Sequence, residues 1–578
     1  MNLKQYLPIL EWLPHYQRDH LRGDLSAGLT VGVMLIPQGM AYAMIAGLPP
    51  IYGLYASIVP LLIYAVFGTS RQLAVGPVAM VSLLTLAGVS ELAAVGSEEY
   101  IALTIFLALL AGTLQLLMGV LRLGFLVNFL SKPVISGFTA AAALIIGLSQ
   151  LKHLLGLDLA RSNYIHKILY EAALNLGQVN LPTLLIGLGG IALILGVKRW
   201  NKAIPGPLVA VVFGILVTWL AGLSDLGVKI VGEVPRGLPA FEVPQISWQS
   251  TVDLLPMALT ICLVSFVESI AIAKTLQAKH RNYEVDSNQE LLALGLAKVA
   301  GAFFQAYPNT GGFSRTAVND QAGAKTGLAG VISAVLIALS LLFLTTLFYY
   351  LPKAILASVI MVAVFKLIDI KGAIRLWHSR REDFFMLLAT FLAVLSLGIQ
   401  NGILVGVALS LVVVIYHSAY PHVAVLGRIP GTQHFRNLDR FPEAEDRPDV
   451  LALRFDAQLF FANADYFREQ VRKWEKRKGE ALKLLVISGE SIASIDSTAS
   501  QALLEMVEAL RERGIEVYFA AFVGPARDAL YRAGMTEKLG ENNFFVHVHE
   551  ALAAYDLWQT QGRKNQGQAI ALQTNVSI

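Results

Sequence analysis

Apolar residues run in long blocks over the first 420 positions, then give way to a finer alternation of apolar and polar residues. A helix needs about 20 mostly apolar residues to cross a bilayer. Fourteen blocks meet or approach that length, near 24–45, 51–67, 77–90, 99–121, 125–149, 181–197, 204–222, 254–273, 290–304, 313–322, 327–349, 353–368, 383–398 and 402–420. Two are too short or interrupted to span alone: the third, after Val75-Gly76-Pro77, and the tenth, after Gly311-Gly312. Beyond Pro448 a strand-like run (VLALRFDAQLFFAN) is followed by a helix over 464–478 and a buried strand (LKLLVIS). A helix over 497–513, a strand (IEVYFAAF) and a further helix come next. Strands alternating with helices predict a small α/β domain whose sheet is covered by helices. The expected organisation is an interfacial N-terminus over 1–23, a membrane body over 24–420, a linker over 421–447, an α/β domain over 448–560 and a disordered tail over 561–578.

Composition sharpens this division. The 578 residues are 55% hydrophobic and 15% charged, with a mean hydropathy of +0.59, which excludes an ordinary soluble enzyme. Residues 427–578 hold 40 of the 86 charged side chains, so the charge is concentrated in the tail. A net charge of +4 spread over both parts gives no case for a nucleic-acid partner. The single cysteine, Cys262, excludes a disulfide framework and a cysteine-based metal site. The first 24 residues lack a signal-peptide core, and Trp12, Tyr16, Arg18 and Arg22 suit headgroup depth. With the N-terminus inside, the cytoplasmic segments carry about 16 Lys/Arg against about 6 on the other side, satisfying the positive-inside rule. An even number of crossings then returns the α/β domain to the cytoplasm.

The candidate chemistry lies in the two short segments. Each breaks at glycine inside an apolar stretch and restarts as a helix: Ala74-Val75-Gly76-Pro77-Val78-Ala79 and Asn309-Thr310-Gly311-Gly312-Phe313-Ser314. They are third and tenth, corresponding places in two halves of seven. Because seven is odd, such halves must have opposite topology. Broken helices at matching places in inverted repeats mark midplane binding sites in secondary transporters. Two helix N-termini meeting there offer unpaired amides and positive dipole ends to an anion.

Charges inside apolar spans are expensive and need a reason. Glu268, in the eighth span, sits where burial disfavours the ionised carboxylate, which suits proton loading and release as well as a structural hydrogen bond. Arg315 at the start of the tenth segment keeps its charge and would reinforce the anion site, with Ser314 as a further donor. A purely structural pairing of Arg315 with Glu268 is the alternative. Lys298 in the ninth span is a candidate modulator that can snorkel, pair with Glu268 or add to the field at the site. Gln38 and Tyr42 lie one helical turn apart beside Pro37, on a face expected to look inward. No GxxxxGK[ST], HExxH or GxSxG motif occurs, so no ATPase, zincin or hydrolase mechanism is offered, and no catalytic residue, cofactor or metal is expected. In the α/β domain Asp496-Ser497 reads as a helix cap; a phosphate on Ser497 would also sit well on that helix N-terminus.

The run DLSAGLTVGVMLIPQGMAYAMIAGLPPIYGLYASIVP, then FGTSRQLAVGPVA and YPNTGGFSRTAVNDQAGAKT, resembles the SulP anion transporters, the sulfate permeases. VISGESIASIDSTASQALLEM resembles a STAS domain, the fold of anti-sigma-factor antagonists. The resemblance implies a membrane all-α body of 14 transmembrane segments as 7+7 inverted repeats, arranged as core and gate domains, plus a cytosolic α/β STAS domain. It implies a homodimer and an anion held between the third and tenth helices, carried by an elevator-like movement. By motif, Gln38, Tyr42, Val78, Ala79, Phe313, Ser314 and Arg315 would line the site, and Glu268 would hold the family's acidic coupling position. Many members have an uncharged residue where this chain has Lys298, which opens the question of its coupling ion. Ser497 matches the serine phosphorylated in anti-sigma antagonists.

The expected function is proton-coupled sulfate uptake across a bacterial-type inner membrane, with both termini cytoplasmic. A bicarbonate or dicarboxylate carrier using sodium or protons is the alternative within transport. An anion channel or sensor, signalling through a cytosolic protein partner of the STAS domain, is the alternative from another class.

Overall fold

The computed structural model describes residues 6–125, 131–159, 165–200, 205–245, 247–365 and 368–561; all of the expected tail but Gln561 lies outside them. The chain divides into two units, Met1–Ser410 and Leu411–Ile578.

The first unit is helical. Its first half comprises α1 (Arg18–Ile45), the broken pair α2 (Ile51–Tyr55) and α3 (Val59–Phe67), a two-residue strand β1 (Val75–Gly76) and α4 (Ala79–Val89). Then come α5 (Glu98–Val120), α6 (Lys132–Ser149), the short α7 (Ile165–Leu174), α8 (Leu181–Trp200) and α9 (Gly206–Leu220). The second half repeats the plan: α10 (Trp248–His280), α11 (Ser287–Ala302), strand β2 (Thr310–Gly311) with α12 (Phe313–Gln321), α13 (Leu328–Phe343), α14 (Lys353–Phe365), the short α15 (Ile370–Ser379), α16 (Arg381–Leu397) and α17 (Ile399–Ala419), whose residues from Leu411 on belong to the second unit. Counting α2 with α3 as one and omitting α7 and α15 leaves fourteen spans. Among them, α1, α5, α6 with its continuation to Leu155, α8 and α10 are each long and apolar enough to cross a membrane alone.

The packing carries the symmetry. Span 4 (α5) lies on span 9 (α11), and span 11 (α13) lies on span 2 (α3). Span 1 (α1) packs on span 11 (α13), and span 8 (α10) on span 4 (α5). Likewise α6 packs on α16 and α14 on α8, while α4 packs on α10 and α12 on α1. Exchanging span n for span n+7 turns each contact into another, the signature of two halves related by a two-fold axis. Strands β1 and β2 pair antiparallel, Val75 opposite Gly311 and Gly76 opposite Thr310, as two symmetry-related segments must when they meet on that axis.

Close approach of helices depends on small residues, since lipid offers no hydrophobic drive for helix association. A Cβ on Gly295 would stand 2.7 Å from the Leu116 amide nitrogen and 2.9 Å from the Gly112 carbonyl, so α5 and α11 touch backbone to backbone. Two buried carboxylates then fasten one half to the other. Asp24 of α1 accepts from the Lys325 amide (2.6 Å), the Thr326 amide (3.0 Å) and the Thr326 hydroxyl (2.6 Å). Glu290 of α11 accepts from the Thr69 amide (2.7 Å) and hydroxyl (2.6 Å), the Ser70 amide (3.2 Å) and Tyr64 (2.8 Å). A buried charge is tolerable when its lone pairs are filled in this way.

In the second unit a six-stranded sheet has the order β4-β3-β5-β6-β7-β8, built from β3 (Val423–Arg428), β4 (Phe435–Asn437), β5 (Val450–Phe455), β6 (Leu484–Ser488), β7 (Glu516–Ala520) and β8 (Phe544–Phe545). Strands β5 to β8 run parallel to one another, while β3 is antiparallel to both β4 and β5. Helices α18 (Ala464–Lys478), α19 (Ser497–Glu512) and α20 (Gly524–Arg532) share one buried cluster with Phe455, Leu485 and Phe519. Helix α21 (Val548–Gln561) packs Leu552 and Tyr555 with Val486 and Tyr518 of the other face. The stretch expected to be a linker, 421–447, differs: it supplies β3 and β4. Val423–Arg428 is an apolar run bounded by Pro421 and Pro430, and pairing with β5 buries it.

Replacing Glu290 by Gln removes the charge that four donors share. The expected result is a loss of about 2 kcal/mol or more, read as a lower melting temperature of the detergent-solubilised protein. Gly189→Ala, where an added Cβ meets nothing within 4 Å, should leave that temperature unchanged.

Candidate functional site

The two strands bring the N-terminal ends of α4 and α12 to one place. Gly76 adopts φ +153°, open to glycine and strained for other residues, and Pro77 has no amide to extend the ladder. The Gly312 amide donates to the Ala74 carbonyl at 3.1 Å, and the Thr316 hydroxyl accepts from the Ala74 amide at 3.0 Å. The α4 cap, Val78, and the α12 cap, Gly312, are extended, and neither helix start is capped by a side chain. Both first turns therefore keep amides available for a ligand.

Arg315 occupies the junction. It is 1% exposed, and its Nη1 donates to the Pro77 carbonyl, bridging the two strand–helix units. Its Nε and Nη2 are buried without a partner. Tyr42, Tyr307 and Glu268 are the groups within electrostatic reach of this guanidinium. Glu268 makes no ion pair with it among the described residues, and Glu268 Oε2 is itself buried and unpartnered. The Gln38 amide oxygen on α1 is in the same condition. So four polar atoms, on α1, α10 and α12, are desolvated without compensation. Such orphans are rare in native proteins and call for an occupant. Phe313 is 61% exposed and Ser314 is exposed beside it, so the first turn of α12 opens outward while Arg315 and Thr316 face inward. Val78 and Ala79 are buried at the facing helix start.

Lys298 stands apart from this group. It is fully buried on α11 and donates to Gln115 Oε1 at 2.7 Å, pairing with a neutral amide rather than Glu268. Gln115 Nε2 in turn reaches Ser265 Oγ (3.2 Å) and the Cys262 carbonyl (3.3 Å). The Ser265 carbonyl accepts from Thr310 Oγ1 (2.7 Å), and Ser269 Oγ bonds both Thr310 Oγ1 (2.7 Å) and the Gly311 amide (2.9 Å). A continuous polar thread thus runs from Lys298 to β2. Tyr307, whose hydroxyl lies 3.0 Å from Ser82 Oγ, fixes the other flank to α4. Sequence reasoning missed Gln115 and Tyr307; a lone glutamine in the apolar run LALLAGTLQLLMGV was the available signal. Among the described residues no cluster of His, Cys, Asp or Glu could hold a metal ion. In the second unit Asp496 caps α19 by accepting from the Ala499 amide at 2.8 Å, leaving Ser497 exposed at the first helical position.

Residues 21–390 match the model of the sulfate permease family. The chain belongs to that family. Residues 441–551 match the STAS domain. Among relatives, the probable sulfate transporter 4.2 of Arabidopsis thaliana is 40% identical, over 99% of this chain and 89% of its own. A probable sulfate transporter of Mycobacterium tuberculosis is 36% identical over 93% of this chain and 96% of its own. Among solved structures, the murine Solute Carrier 26 family member A9 anion transporter, in the inward-facing state, superposes with a TM-score of 0.88 at 27% identity, covering 95% of this chain and 94% of that one. The transmembrane domain of the cyanobacterial bicarbonate transporter BicA shares the fold, with a TM-score of 0.60 at 24% identity over 68% of this chain and 98% of that one. Membership of the sulfate permease family makes the chain a multi-pass membrane anion transporter rather than an enzyme, with the inverted-repeat body and a STAS domain.

A methyl group tests the geometry directly. A Cβ on Gly312 would come 2.9 Å from Arg315 Nη2 and 3.0 Å from its Cζ, so Gly312→Ala must displace the guanidinium. Affinity for the transported anion, read by titration of the purified protein, should fall about tenfold, equivalent to about 1.4 kcal/mol, while the melting temperature without ligand stays near that of the parent.

Proposed function

We propose that this sulfate permease family member takes up sulfate together with protons, moving the anion by an elevator-like displacement of its core. The observation that carries the reading is the buried Arg315, with two unpartnered nitrogens between two uncapped helix starts. A tetrahedral dianion supplies the acceptors that both lack. In this reading Phe313, Ser314 and Arg315 bind from α12, Val78 and Ala79 from α4, and Gln38 and Tyr42 from α1. Lys298 acts from behind, through Gln115 and Ser265, by holding the β2 segment in register. Sulfate also fits the names carried by the relatives, several of which are sulfate transporters.

Glu268 supplies the coupling. Carrying a dianion into a cell that is negative inside costs about 4.6 kcal/mol per 100 mV, and one accompanying proton halves that. A carboxylic acid beside the bound anion is a carrier for such a proton, and its unpartnered Oε2 has room to take one. The elevator reading rests on how the helices associate. Helices α1–α5 and α10–α13 form one group, the core, tied internally by the Glu290, Asp24 and Lys298 bonds. Helices α6, α8, α9, α14, α16 and α17 form the gate, where Ser358 bonds the Gly187 carbonyl at 2.7 Å. The hydrogen bonds traced here stay within one group or the other. Across the boundary, α1 meets α14 and α4 meets α6 through a shared apolar cluster, a surface suited to sliding. A homodimer held through the gate would give the core something fixed to move against. Both termini then lie in the cytoplasm of an inner-type membrane, where the STAS domain can meet a protein partner and Ser497 is accessible for modification.

Labelled sulfate uptake into proteoliposomes, with an inward proton gradient imposed and then collapsed, tests the whole proposal. Accumulation should require the gradient. Vesicles that carry bicarbonate or a dicarboxylate but no sulfate would overturn the substrate and leave the site.

Two variants divide the roles. Glu268→Gln should abolish gradient-driven accumulation while retaining sulfate exchange. Arg315→Ala should weaken sulfate binding by about a hundredfold, in line with loss of a charge-assisted pair. Accumulation that survives Glu268→Gln would remove that residue from coupling.

A further inference from the structure

Helix α15 lies between spans 12 and 13, and none of its ten residues is buried. Its apolar positions form one face: Ile370, Ile374 and Trp377, spaced four and three apart, are 66%, 54% and 41% exposed. Its basic positions form a flanking stripe, about 100° round the helix: Lys371, Arg375 and His378 repeat the same spacing, and Arg380 and Arg381 follow at once. Among the described residues no carboxylate pairs with Lys371, Arg375 or Arg380. Asp369 is engaged as the helix cap, accepting from the Gly372 amide at 2.8 Å. The apolar face continues into the lipid-facing side of α16. The Trp377 ring centre is 5.0 Å from that of Phe384 and 6.2 Å from that of Phe385, which is 55% exposed, and the Arg381 guanidinium lies 5.4 Å above the Trp377 ring.

The fold contains its own control. Helix α7, between spans 5 and 6, is the counterpart of α15 in the first half and reaches the opposite membrane face. It buries Ile168 and Ala172 against the protein, and it carries Glu171 with Lys167 and His166 rather than a basic stripe. The two helices join corresponding pairs of spans at opposite membrane faces, and only α15 carries the basic stripe. An amphipathic helix with a basic polar face and an exposed aromatic and aliphatic face lies in the interface and is drawn to anionic lipid.

We propose that α15 is a binding element for anionic phospholipid headgroups in the leaflet on the side where α1 begins, with Lys371, Arg375 and Arg380 contacting the phosphates and Ile370, Ile374 and Trp377 seated among the acyl chains. Because α15 joins the gate helices α14 and α16, bound lipid anchors the gate to that leaflet. This assignment does not depend on which anion the core carries.

The test uses the full chain in detergent, titrated with a fluorescent phosphatidylglycerol and, separately, a fluorescent phosphatidylcholine. The parent protein should prefer the anionic probe, with the preference falling as ionic strength rises. The triple variant K371Q/R375Q/R380Q should bind phosphatidylglycerol at least fivefold more weakly with phosphatidylcholine binding unchanged, and Ile374→Asn should weaken both. The α7 variant Lys167→Gln should behave as the parent. An unaltered melting temperature establishes that each variant is folded. Equal binding of the two lipids by the parent, undiminished phosphatidylglycerol binding by the triple variant, or full displacement of the probe by soluble glycerol phosphate would each overturn the proposal.

Discussion

The arrangement turns on one buried guanidinium that the fold leaves half satisfied. Arg315 is enclosed by protein, bridges to Pro77 through one nitrogen and leaves two others buried without a partner. Each unpaired buried donor costs about 1–3 kcal/mol, and a lone buried cation costs more. No soluble-domain logic would keep such a group, and a neighbouring carboxylate close enough to pair with it would relieve the strain. Glu268 is within electrostatic reach but makes no ion pair with it. In the proposed reading an anion bound here recovers that cost, which gives the site its affinity for negative charge.

Keeping that group in place requires a backbone that can pass close to it. Gly312 leaves room where a Cβ would press on the guanidinium, and the β1–β2 pairing closes the two broken spans against each other. A two-stranded link of two residues each is too small to be stable alone. Its stability comes from behind: Thr316 and Ser269 bond directly to the strand region, Gln115 ties α5 to α10, and Lys298 ties α11 to Gln115. Farther out, Asp24 and Glu290 fasten loops of one half to helices of the other. Local geometry at the site is thus secured by contacts that cross the two-fold axis, which is why the halves cannot separate without losing it.

Much of this was legible in the sequence, for physical reasons that can be named. Gly76-Pro77 and Gly311-Gly312 stood out because glycine and proline interrupt an apolar run only at a cost in helix propensity. Arg315 and Glu268 stood out because charge inside a span is expensive, and Arg315 indeed lies at the junction of the broken helices. The odd number of spans per half already required inversion. Other features left weaker traces. Asp24 and Glu290 sit near span ends, where a charged residue is ordinary, so nothing marked them as cross-links. Lys298 was visible as a charge, but its partner depends on helix rotation, and α11 turns it toward Gln115 rather than toward Glu268. Strands β3 and β4 were hidden because the eight residues between Pro421 and Pro430, and the three of β4 beyond them, read as a connection until a partner strand is known.

A carrier must also let its cargo go, and the balance of charges in this site bears on that. A cage of several basic side chains would hold a dianion tightly and release it slowly. Here one fixed charge is supplemented by helix ends, whose partial charges fall off within the first turn and weaken as water enters. In the proposed mechanism, a carboxylate in reach of the same guanidinium competes with the anion when ionised and yields to it when protonated. In that reading affinity is set by water access and by one proton, both of which differ between the two faces of a membrane. Those are the two quantities that the proposed movement of the core would change as it exposed its site to one side and then the other.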